Sequence, residues 1–117
     1  YARAVFESLA RTEAAAPSLW PLEFGNVLVV VLRNKRLSAQ ACSRYSDMIQ
    51  DLPISVEQIA PERMLTDVLR LAREHQLSTY DACYVDLALR KNLPLATLDR
   101  SMKRAAKRMR VELYRPG

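Results

Sequence analysis

Glycine is nearly absent from this chain, with two in 117 residues. That excludes a phosphate-cradling loop, which needs closely spaced glycines so that backbone amides can approach the anion. The single histidine, His75, excludes RNA cleavage by a pair of imidazoles, because general acid and general base would need one ring each. Cys42 and Cys83 lie far apart with no Cys-x-x-Cys companion, so zinc is not expected and two reduced, half-buried thiols are. The longest apolar run, VLVVVL at 27–32, is too short to cross a bilayer, and the opening YARAVFESLAR lacks a signal-peptide pattern. A soluble, cytoplasmic protein with no membrane partner is expected.

Half the residues are apolar and 26% are charged, with no internal repeat or low-complexity tract. A single helix-rich globular domain over 1–117 follows, large enough to remove roughly two thirds of its unfolded surface from water. The net charge of +5 favours a polyanionic partner, nucleic acid first. The excess is uneven: DRSMKRAAKRMR at 99–110 holds six bases against Asp99 alone.

Periodicity divides the chain into alternating elements. A helix over 2–13 puts Ala4, Val5, Leu9 and Ala10 on one face, and a brief strand, APSL, follows at 16–19. LEFGNVLVVVLR at 22–33 is β-branched but too long for an ordinary strand, and Pro21 suits a first helical turn, so a buried helix is expected. Ser38 caps a helix that Pro53 stops; ISVEQI at 54–59 is a strand. From Pro61 a helix places Leu65, Val68, Leu69 and Ala72 on one face, and Ser78, three residues before Asp81, caps the next, which ends near Asn92. LATL at 95–98 is a strand, 100–109 a basic helix and VELY at 111–114 a last strand. Strands alternating with helices mean an α/β domain around a mostly parallel sheet.

That topology carries a geometric consequence. Glu23 and Asp99 each follow a strand, and the helix begun at Ser78 runs back to feed the strand at 95–98, so Asp81 starts at the edge where that strand ends. Each acid alone would stabilise its helix through the macrodipole by about 0.3–1 kcal/mol. Together on one rim they repel unless a hard divalent cation, Mg²⁺ or Mn²⁺, neutralises them. A metal-assisted phosphodiester hydrolase is the chemistry such a site supports. Asp86, five residues beyond Asp81, points about 140° away; with Arg90 four residues on, a surface ion pair is its expected role.

WPLEFGNVL, LSTYDACYVDLAL and LATLD, in this order and spacing, resemble the PIN-domain family, most closely its VapC-type toxin ribonucleases, over nearly the full chain. The resemblance implies a three-layer α/β/α fold and an Mg²⁺- or Mn²⁺-dependent endoribonuclease of a type II toxin-antitoxin system. It further implies a homodimer, inhibited by a VapB-type antitoxin whose tail occupies the acidic groove. Glu23, Asp81 and Asp99 match the family's metal-binding acids, and Asn26 and Thr97 its further catalytic residues. The family opens with a central strand ending in Asp, which is absent ahead of Tyr1; an N-terminally incomplete domain is therefore the expectation.

Arg100, Lys103, Arg104, Lys107 and Arg108 fall at helical spacing and form one stripe beside Asp99. RNA phosphates or plain solvent would each suit it. Trp20 and Tyr80 flank the acids and would stack on bases or pack in the core, the second being favoured. The apolar surround of 27–32 and 80–89 suits either an interface or a crowded core. A non-catalytic nucleic-acid-binding module, its acids only capping helices, is the competing reading. A phospho-acceptor domain is disfavoured by the lack of Lys-Pro after the last strands.

Overall fold

The computed structural model describes residues 14–115. The helix expected over 2–13 lies outside them. The described chain is an α/β domain with parallel pairings, as the alternating pattern predicts. Strand β1, Ala14–Pro17, pairs in parallel with β2, Ile54–Glu57, with Ala14 opposite Ile54 and Pro17 opposite Glu57. Helices α1, Trp20–Arg33, and α2, Ala39–Gln50, connect them. After β2 come α3, Pro61–Arg63, a π-helical stretch, Met64–Val68, and α4, Leu69–His75. Helices α5, Thr79–Lys91, and α6, Arg100–Arg108, complete the order.

The caps are those the sequence implies. Ser38 Oγ accepts from Ala41 N at 3.1 Å and Ser78 Oγ from Asp81 N at 3.0 Å. With so few glycines, helix ends are closed by other residues. Lys35, Gln76, Asn92 and Arg110 all take the left-handed conformation, with φ between 53° and 59°. The residue after each donates back five positions, as Leu77 does to Ala72 O at 2.9 Å and Val111 to Ala106 O at 2.8 Å.

Helix α5 explains why LSTYDACYVDLAL is apolar all round. It packs on β1, on the π stretch, on α4 and on α6, and Ala82, Cys83, Val85, Leu87 and Ala88 are buried. The core around it takes in Val68, Leu71, Ala72, Leu95, Met102, Ala105 and Ala106. The last three form the packing face of the basic helix. Both cysteines are free and buried.

Several boundaries and faces differ from the sequence reading. The first strand lies at 14–17 rather than 16–19, because Ser18 and Leu19 turn the chain into α1 and Leu19 is already at its N-cap. The strands at 95–98 and 111–114 reduce to one parallel bridge, Leu95 with Leu113. Thr97 Oγ1 accepts from Asp99 N at 3.0 Å, which bends the chain out of the sheet straight after Leu95. The π stretch, wider than an α turn, rotates the face of its helix, so Val68, Leu71 and Ala72 are buried while Leu65 is 72% exposed. Helix α1 forms as expected but is not buried: none of its residues is, and Leu22 stands 79% exposed. Tyr80, favoured for the core, is also exposed.

Candidate functional site

The three acids singled out by topology sit at three helix N-termini. Glu23 lies in the first turn of α1, Asp81 in the first turn of α5, and Asp99 is the N-cap of α6. The helices of two of them are linked by a residue the sequence reading passed over. Tyr84, one turn beyond Asp81 on α5, donates its phenolic hydrogen to Glu23 Oε1. Burial first, then that hydrogen bond and the charges of Glu23 and Asp81, pushes the Tyr84 hydroxyl far above its ordinary range. The phenol therefore stays a donor at any ordinary pH. Its signal was available, since Tyr84 falls three residues after Asp81, on the same helical face.

Asp99 is engaged otherwise. Its Oδ2 accepts from Met102 N at 2.9 Å, closing the start of α6, while its own N–H bonds Thr97 Oγ1. The Thr-x-Asp pair thus builds a turn and a cap. Asn26 lies exposed one turn beyond Glu23 on α1. Among the described residues, no three His, Cys, Asp or Glu side chains are gathered closely enough to hold a metal ion. Glu23 and Asp81 are, in kind, the hard oxygen donors that Mg²⁺ or Mn²⁺ takes. Of the basic stripe, Lys103, Arg104, Lys107 and Arg108 are exposed on α6 beside Arg100.

Farther along α5 lies a network that helical spacing only half revealed. Asp86 pairs with Arg90, Nε to Oδ2 at 2.9 Å, but it is 2% exposed rather than on the surface. Arg63 grips the same carboxylate with two nitrogens, at 3.1 and 2.6 Å. Arg90 and Lys91 continue to Glu57 of β2 at 2.6 and 3.2 Å, and Arg63 to Asp67 at 3.0 Å. Burial raises the Asp86 carboxyl, and the hydrogen bonds from Arg63 and Arg90 outweigh it, leaving the group below its usual range. Helix α5, which carries Asp81, is thereby tied to β2 and to the π stretch. Arg63 lies far away in sequence, so no local spacing could have paired it.

The comparisons agree with this architecture. The PIN domain family matches residues 2–108. The crystal structure of PAE2754 from Pyrobaculum aerophilum superposes with a TM-score of 0.72 at 31% identity, covering 90% of this chain and 72% of that one. No curated protein matches the chain. The chain belongs to the PIN-domain family. Membership places it among nuclease-like proteins and leaves its own substrate and chemistry to be argued from its residues.

Proposed function

We propose that the chain is an Mg²⁺- or Mn²⁺-dependent endoribonuclease, the toxin of a type II pair, working in the cytoplasm on RNA bound along Arg100, Lys103, Arg104 and Lys107. The observation that carries this is the hydrogen bond from Tyr84, one turn beyond Asp81, to Glu23, which ties the first turn of α1 to the helix that carries Asp81. These two carboxylates would hold the ion, with Asp99 as the third donor once turned from its cap, and Asn26 and Thr97 beside them. When bound, the ion would polarise the phosphate and activate a water. The chain's own part is to orient Glu23 through Tyr84, to anchor α5 through Asp86, and to offer a basic path for phosphates.

Two partners belong to this reading. The exposed apolar residues of α1 (Leu22, Val27, Val30) with Tyr45 and Met48 of α2 support a homodimer. A VapB-type antitoxin would place its tail over the acidic rim.

The second reading, a nucleic-acid-binding module without catalysis, has its own support. Asp99 caps α6, and no acid trio is gathered among the described residues. Taken by themselves, the described carboxylates fit this reading better. Calorimetry with Mn²⁺ separates the two. The catalytic reading expects binding that a Glu23→Gln, Asp99→Asn double variant loses; equal affinity in both proteins would leave the binding module.

A further inference from the structure

A groove runs between α6 and the chain at 111–115. Lys103, Arg104 and Lys107 line it from the helix, and Val111, Leu113 and Arg115 from the other side. Glu112 is its one acidic lining residue. No described carboxylate forms an ion pair with any of the four bases. Four uncompensated cations beside apolar side chains call for an anionic partner that also has something apolar to bury.

The backbone narrows the choice. Leu95 N donates to Glu112 O at 2.8 Å, and Tyr114 N to Leu95 O at 2.8 Å, so the inner edge of this segment is taken. In a parallel pairing the residue between those two donor and acceptor positions turns its own N–H and C=O to the opposite side. Leu113 is that residue, and no described residue bonds its N–H or C=O. An oligonucleotide can neutralise the bases but has no backbone that matches a strand edge. An extended peptide matches both, since its alternate side chains reach one face and its amides the edge.

We propose that this groove takes an extended acidic peptide from a partner protein, added as a strand along Leu113, with its carboxylates on Lys103, Lys107 and Arg115. The inference goes beyond the RNA reading, and it has a consequence for it. The peptide covers bases that RNA would use, so the two ligands exclude one another.

The test is fluorescence anisotropy with a labelled peptide of alternating Glu and Val, and with the same peptide N-methylated at alternate backbone amides. The expected result is saturable binding that weakens about tenfold on N-methylation, the size of losing one or two backbone hydrogen bonds. A similar weakening is expected in a Lys103→Glu, Lys107→Glu variant, and the unmodified peptide should displace labelled oligouridylate. Equal binding of the two peptides would overturn the proposal, because charge alone would then explain it. So would oligouridylate that binds through Lys103 and Lys107 and is not displaced. The peptide comparison uses the unaltered protein, so it decides the matter even if the variant melts early.

Discussion

Asp86 is the residue on which the centre of this protein turns. A carboxylate this deeply buried is tolerable only because two guanidiniums hold it, one bidentate, and removing it would leave both facing each other inside the fold. Asp86→Ala is expected to cost about 3 kcal/mol, the low end of the range for broken buried pairs because the Arg63 side chain is a third exposed. The pH dependence has a definite sign. Because the folded-state pKa is depressed, the contribution is fully present above the unfolded value of about 3.9 and is lost as pH falls through the folded one. Denaturant melts from pH 6 downwards should therefore show wild type losing stability in acid, with a shallower slope in Asp86→Ala; parallel slopes would place the acid sensitivity elsewhere. Tyr84 has the opposite sense. Its raised pKa means that its contribution is present below about pH 10 and disappears as pH rises through the folded value. In an alkaline absorbance titration, Tyr84→Phe should remove a phenol that stays silent in the folded protein; a silent phenol that persists in the variant would contradict this.

At the scale of elements, the shortage of glycine leaves a measurable mark. A non-glycine residue in the left-handed region costs about 1–2 kcal/mol, offset in part because glycine loses more backbone entropy on folding. Gln76, between α4 and α5, carries that strain at φ 55°. Gln76→Gly should raise stability by about 0.5–1 kcal/mol in chemical denaturation, and Asn92→Gly by less, since Asn tolerates the conformation better; a destabilised Gln76→Gly would contradict this account of the helix ends. These same elements mark how far sequence carries. Ser38, Ser78 and the basic stripe of α6 were legible because capping and helical period are local. The exposure of Leu65 and the burial of Asp86 were not, because a π turn rotates one face and α5 is enclosed by four neighbouring segments. That Glu23 and Asp81 lie in the first turns of their helices followed from capping and helical period alone. The Tyr84 contact that joins α5 to Glu23, and the capping of α6 by Asp99, needed coordinates.

At the scale of the molecule, no helix among the described residues is long and apolar enough to cross a membrane. The described residues expose apolar side chains on α1 and α2 and a row of bases on α6. The central claim is that Asp81 is a working carboxylate rather than a helix-stabilising one, and the two roles separate cleanly. Asn in its place keeps the size of the side chain and removes the charge, at a cost of under about 1 kcal/mol if the macrodipole is all it serves. The decisive measurement is cleavage of single-stranded RNA in Mn²⁺ by wild type and Asp81→Asn, each shown to be folded by its melting curve. The account predicts that the variant melts within a few degrees of wild type and cleaves at least about a hundredfold more slowly. Equal cleavage by the two proteins, or RNA binding without cleavage by wild type, would contradict it.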